Sequence, residues 1–216
     1  DWRVMTVKIV TDTIADLPSG VIKELGITVI PIIVRFGEQV YRDGIDLTSE
    51  QFYEKIKESK TLPATSVPSP GTFVEVYDRL AEVTDEILAI IVSSKLSGTY
   101  GVALQSVGLM KRKCRVEVID SEWATMAQGF IVMEAAKAAQ AEASLDEVVE
   151  IARKTIPRVD FLSTFDTLEY LLRGGRIGKA QAFLGSVLKV NPLITLRNGV
   201  VEPAGRVRSR AKAIER

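Results

Sequence analysis

Two hydroxyl-rich turns hold most of the side chains in this chain that could do chemistry. Ser93-Ser-Lys-Leu-Ser-Gly-Thr-Tyr100 follows directly on the apolar run Ile87-Leu-Ala-Ile-Ile-Val92, and Thr65-Ser-Val-Pro-Ser-Pro-Gly71 precedes both. A buried strand that ends in hydroxyls, a glycine and a new helix builds a polar spot at the carboxyl edge of a sheet, where small ligands collect. The 216 residues include no His, so these serines have no imidazole to serve as a base. A hydrolase would have to pair Ser94 or Ser97 with Lys95. The Ser-x-x-Lys order is absent, no Gly-x-Ser-x-Gly elbow occurs, and neighbours in extended chain face opposite ways. The residue types point to binding before catalysis.

Three other groups invite a chemical reading. Arg173-Gly-Gly-Arg-Ile-Gly-Lys179 suggests a phosphate cradle, but it lacks the Gly-x-x-x-x-Gly-Lys-Ser/Thr spacing and follows no clear strand. Asp12, Asp16, Asp43 and Asp46 fit no calcium-loop spacing, and an Asp after a strand ordinarily caps a helix or turn. No metal site and no catalytic residue is expected. Cys114 stands alone, cannot form an internal disulfide and reads as a small core residue of a reducing compartment.

The rest of the composition describes an ordinary globular protein, 46% hydrophobic and 26% charged. Lys plus Arg and Asp plus Glu each total 28, which leaves no basic surplus for nucleic acid. No apolar run reaches the ~20 residues of a spanning helix, and Asp1-Trp-Arg-Val-Met5 has no signal-peptide core. The first residue is not Met, which suggests a tag remnant ahead of a native start near Met5. A cytoplasmic, bacterial-type soluble protein is the expectation.

To place the two turns, the chain must supply strands and helices around them. Residues 7–11 read as a buried strand, with Pro18 in the first turn of a following helix. Residues 28–35 read as one strand, of edge or bulged type because of Pro31. Thr48-Ser-Glu-Gln51 and Ser144-Leu-Asp-Glu147 are capping boxes, and Ser69-Pro70 opens a helix carrying Phe73, Val76, Leu80 and Val83 at helical spacing. Strands at 86–92 and 116–120 alternate with helices at 99–113 and 124–141. That alternation implies an α/β sheet, mostly parallel, flanked by helices. Beyond Pro157 come a turn, a helix near 181–189 and a hairpin over 193–201 that turns at Asn198-Gly199. The division expected is a first α/β domain over residues 1–160 and the start of a smaller second α/β domain over 161–216. The second has too few residues for a complete core, so the chain is expected to be truncated.

In order along the chain, these segments resemble the DegV family of bacterial fatty-acid-binding proteins. The matching pieces are Val10-Thr-Asp-Thr-Ile-Ala-Asp-Leu17, Thr65-Ser-Val-Pro-Ser69, Ser93-Ser-Lys-Leu-Ser-Gly-Thr-Tyr100 and Val118-Ile-Asp-Ser121. Gly174-Gly-Arg-Ile-Gly-Lys179, Leu188-Lys-Val-Asn-Pro-Leu193 and Arg206-Val-Arg208 complete the series. The resemblance implies a two-domain fold that holds one long-chain fatty acid, such as palmitate, between the domains. It implies a carrier without catalytic machinery or cofactor, the lipid-binding subunit of a fatty acid kinase. Such a carrier presents the carboxylate to the kinase catalytic subunit for acyl-phosphate formation in phospholipid synthesis, touching membranes at most transiently. Family chains usually run further, with a His in a Gly-rich motif near the ligand's carboxyl end. The alternatives are a lipid-responsive sensor or regulator and a serine-dependent lipid hydrolase.

By the same resemblance, Thr65 and Ser97 are the expected carboxylate ligands, with Ser66 and Ser94 beside them. Gly98 would let the backbone approach, and the amides opening the next helix would favour an anion. Arg173, Arg176 and Lys179 would dock the kinase or complete its phosphate environment, unless they form a plain solvated turn. Hydroxyls suit a carboxylate head: they donate to it without burying a permanent positive charge. The tail supplies the energy, on the order of 10 kcal/mol for a ~16-carbon chain at ~0.8 kcal/mol per buried CH2, before ordering costs. Ile32, Val34, Phe161, Phe165, Leu168, Phe183, Leu184 and Leu188 are candidates to line its path, although such residues are ordinarily core.

Overall fold

The computed structural model describes residues 6–59, 61–184 and 191–215. The first half runs β1 (Lys8–Asp12), α1 (Ser19–Leu25), β2 (Thr28–Ile30), β3 (Ile33–Phe36), β4 (Gln39–Arg42), α2 (Ser49–Glu58), β5 (Ala64–Ser66) and α3 (Pro70–Leu80). It continues through β6 (Glu86–Ile91), α4 (Thr99–Val107), β7 (Arg115–Asp120), α5 (Thr125–Gln140) and α6 (Leu145–Thr155). The remainder holds β8 (Ser163–Thr164), α7 (Glu169–Arg173), β9 (Asn191–Arg197), β10 (Val200–Val207) and α8 (Arg210–Ile214).

The central sheet is wholly parallel, in the order β2-β1-β6-β7. β6 is buried along its length because helices cover both of its sides, which is why it reads as a continuous apolar run. The chain leaves β1 leftward to β2 through α1 and moves rightward from β6 to β7 through α4. Right-handed crossovers in opposite directions put α1 and α4 on opposite faces. α1, α5 and α6 pack together, and α3 packs with α4. The order reverses between β1 and β6, and the carboxyl ends of those two strands form the crevice where such sheets take ligands.

Pro31 does more than mark an edge. The expected single strand over 28–35 is two strands in two different sheets. β2 closes the parallel sheet, whereas β3 lies between β4 and β5 in a small antiparallel sheet. Proline has no amide hydrogen to continue a ladder. Ile32, next to it, donates to Thr13 Oγ1 instead, at 3.1 Å. Val34, Phe36 and Leu47 form a separate small core under α2. The 65–71 segment also differs from expectation, since its first residues form strand β5 before Ser69 caps α3.

A third sheet, β10-β9-β8, is antiparallel. Its hairpin turns at Asn198 and Gly199, both left-handed (φ 49° and 78°), as a tight turn between twisted strands requires. Leu168, Ile177, Ile194 and Leu196 join the residues of the parallel sheet in one continuous buried cluster. The helix expected near 181–189 is a 3-10 helix at Gly178–Phe183 that ends in extended Leu184. The rest of it, with Leu188, lies outside the described residues. α4 is shorter than expected, ending at Val107 with Gly108 as its C-cap, and Pro18 is the N-cap of α1, one residue before its first turn.

Candidate functional site

At the carboxyl ends of β1 and β6 lies a cavity of about 280 Å³. Its floor is Val92, with Ile14 beside it, and one wall comes from the turn Leu96-Ser97 and from Thr99 at the start of α4. Thr65, Ser66 and Val67 approach from β5, and Ala124 and Thr125 from the start of α5. Phe161, Phe165 and Leu171 face them with Ile194, Leu196 and Val201 of the hairpin. The result is a mostly apolar chamber into which the Ser97 turn, the starts of α4 and α5 and strand β5 bring hydroxyls.

Thr65, Ser66 and Ser97 are therefore brought to one cavity from turns far apart in sequence. Ser97 is half-buried; its Oγ lies 2.8 Å from Thr99 Oγ1 and accepts from the Thr99 amide at 3.3 Å. Thr65 pairs with Val34 and Ser66 with Ile33, so the two side chains leave opposite faces of the strand. The same two residues border a second cleft of about 410 Å³ with Arg35 and Thr61. Ser94 does not line the cavity. It is exposed, and its amide donates to both carboxylate oxygens of Asp120 at 3.2 Å. Lys95 is exposed beside it.

Gly98 has an unexceptional φ of −71°, and a Cβ there would meet only Val67 Cγ1 at 3.6 Å. Close backbone approach does not require glycine at this position. Sequence reasoning missed Thr125, a cavity residue and β-branched, held at φ 58°. That conformation costs on the order of 1–3 kcal/mol and is concentrated at functional sites. No periodicity announces it, because it sits in the first residue of an Ala-rich helix.

The basic turn separates into three different residues. Arg176 lines the cavity; its Nε donates to Leu96 O at 3.1 Å and its Nη1 to Gly174 O. Arg173 lies outside, paired with Glu169 one turn earlier on α7, and Lys179 is paired with Glu202. Of the apolar candidates, Ile32, Phe161 and Phe165 reach the cavity. Val34 belongs to the small core, Leu168 to the main one, and Phe183 lies under the Arg206 guanidinium at 4.8 Å. Leu184 is partly exposed away from the cavity.

Beneath the floor, Asp12 joins the two strands of the crevice. Its fully buried carboxylate accepts from Val92 N at 2.9 Å and Ile14 N at 3.0 Å, and from Gln128 Nε2 at 3.3 Å. Burial pushes its pKa up to about 6 despite those donors, which act in the opposite direction. Asp46 is engaged by Arg42 at 2.8 Å, and Asp16, raised by burial, faces Asp43. Among the described residues no group of three acidic or thiol side chains is placed to hold a metal ion.

A raised folded-state value carries a definite sign. Asp12 contributes most to stability below its unfolded value near 3.8 and loses that contribution as pH climbs through about 6. The loss is on the order of 3 kcal/mol. Asp12→Asn should therefore flatten the fall in stability between these pH values relative to the parent chain, as read by urea denaturation across the interval. An unaltered slope would show that Asp12 does not titrate there.

Residues 6–216 match the family model described as "Uncharacterised protein, DegV family COG1307". A DegV domain-containing protein of Caldanaerobacter subterraneus is 39% identical over 208 residues, which cover 96% of this chain and 74% of that protein. A fatty-acid-binding DegV family protein from Thermus thermophilus superposes with a TM-score of 0.89 at 37% identity, over 98% of this chain and 75% of its own. DegV of Bacillus subtilis, a fatty acid binding protein, gives the same TM-score at 35% identity and the same shares of the two chains. Among the described residues of this chain, no helix is long and apolar enough to cross a membrane. Motifs, sheet order and likeness agree along nearly the whole sequence: the chain belongs to the DegV family.

Proposed function

We propose that this chain binds a long-chain fatty acid in the cavity and presents its carboxylate to a partner kinase, with no catalytic machinery of its own. The observation that carries the reading is the chamber at the switch point of the sheet, lined mostly by apolar side chains together with the hydroxyls of Thr65, Ser66, Ser97, Thr99 and Thr125 and the guanidinium of Arg176. An acyl chain gains from every methylene removed from water, and hydroxyl donors satisfy its head. The fatty acids bound by the Thermus and Bacillus proteins support the same ligand class.

Thr65 and Ser97 are the proposed head-group ligands, with Ser66 adjoining. Ser94 enters only through its backbone, by fixing the turn on Asp120. A division near residue 160 belongs to the same proposal, because Ile14, Thr65 and Ser97 reach the cavity from one side of it and Phe161, Leu171 and Ile194 from the other. The ligand then holds the two parts together.

The outward Arg173 is the proposed contact to the kinase. Titration with labelled palmitate should saturate at one per chain both before and after Arg173→Ala. Acyl-phosphate formation with a fatty acid kinase catalytic subunit should slow for the variant alone. Undiminished coupling would make this turn plain surface, and no saturable uptake by the parent chain would remove the fatty-acid reading itself.

A further inference from the structure

We propose that Ser93 is a positioning residue, a latch that locks the head-group turn, the start of α5 and the β9–β10 hairpin into a single wall. The inference rests on the fatty-acid reading and deepens it. Ser93 is fully buried, and its polar atoms reach three segments that border the cavity: the turn after β6, the residues before α5 and the hairpin tip. Its amide donates to Trp123 O at 2.9 Å, immediately before Ala124 and Thr125. Its carbonyl accepts from the Leu96 and Ser97 amides, both at 3.0 Å, which fixes the turn that carries Ser97. Its hydroxyl donates to Gly199 O at 2.9 Å and accepts from Lys95 N at 3.2 Å.

Gly199 is the receiving half of the latch. It turns the hairpin whose strands bring Ile194, Leu196 and Val201 to the cavity. At φ 78° it takes the left-handed conformation open to glycine, and a Cβ there would collide with the Ser93 hydroxyl and crowd Lys95 Cγ at 3.2 Å. Only a residue without a side chain lets the hairpin tip come this close. Without the hydroxyl, Gly199 O and Lys95 N lose the hydrogen bonds it makes with them, and this buried polar link between the hairpin and the turn is broken. The ligand would then be released through a loosened wall with every hydroxyl of the head-group site still in place.

The test is release of a fluorescent long-chain fatty acid, displaced by excess palmitate, from the parent chain, Ser93→Ala, Gly199→Ala and the double variant. Each single change should speed release on the order of tenfold, since interface losses fall mainly on the dissociation rate. The double variant should be no faster than the faster single, because both changes open one latch. Folded variants that release at the parental rate overturn the latch, as does additivity of the two effects. Failure of both single variants to fold also overturns it, by making the contact a condition of folding and not of retention. Absence of uptake by the parent chain is a separate outcome that removes the fatty-acid reading.

Discussion

Replacing Ser97 with alanine is expected to weaken fatty-acid binding by roughly tenfold to a hundredfold, the consequence of losing ~1–3 kcal/mol when a charged head is left one donor short. Ser97 is the hydroxyl best placed for this loss. It is half-buried, oriented by Thr99 Oγ1 at 2.8 Å and carried on a turn that both Ser93 and Asp120 hold in place. The fold should survive, because Ser97 precedes the Gly98 cap of α4 and the amide it accepts from is that of the first helical residue. Calorimetric titration with palmitate, beside circular dichroism of the same samples, reads both quantities. Unchanged affinity would take Ser97 out of the site.

Gly178→Ala should be the most damaging single methyl in the basic turn, costing about 2–4 kcal/mol of stability. Gly178 is left-handed at φ 50°, and an added Cβ would stand 2.5 Å from Val201 O and 3.1 Å from Val200 Cγ1. Backbone cannot move aside as a flexible side chain can, so the hairpin or the 3-10 helix must shift. Val201 lines the cavity, so the same substitution should also lower lipid content in the surviving folded protein. Gly175, left-handed with nothing within 4 Å of a built Cβ, makes the control: Gly175→Ala should cost only the backbone strain, about 1–2 kcal/mol. Denaturant midpoints of the two variants decide it, and equal midpoints would contradict the packing argument. Gly178, one of the glycines that looked like a phosphate cradle in sequence, has a packing reason to be there.

What the sequence made legible was local or strongly patterned. β6 announced itself as an apolar run, α2 and α6 by capping boxes whose reciprocal hydrogen bonds both form, and the hairpin by Asn198-Gly199. What it hid depends on pairing across distance. β5 has three residues and is defined only by its register with β3, so Thr65 and Ser66 look like part of a turn. The break at Pro31 is visible, but nothing local says that the next strand joins another sheet. Arg176 and Arg173 are alike in a basic motif, and only the path of the chain sends one to the cavity wall and the other to an ion pair with Glu169. Ser94 and Ser97 are likewise indistinguishable until the turn between them is drawn. Thr125 leaves no sequence signal at all, because its left-handed φ belongs to the path of the backbone into α5 and not to any local residue pattern.

The most direct test of the central claim is mass spectrometry of an organic extract from the purified, natively folded protein. One equivalent of a long-chain fatty acid per chain, carried over from the expression host, is the result predicted by a mostly apolar chamber that also carries hydroxyls. An extract free of fatty acid from a folded sample that also fails to take up added palmitate would contradict it.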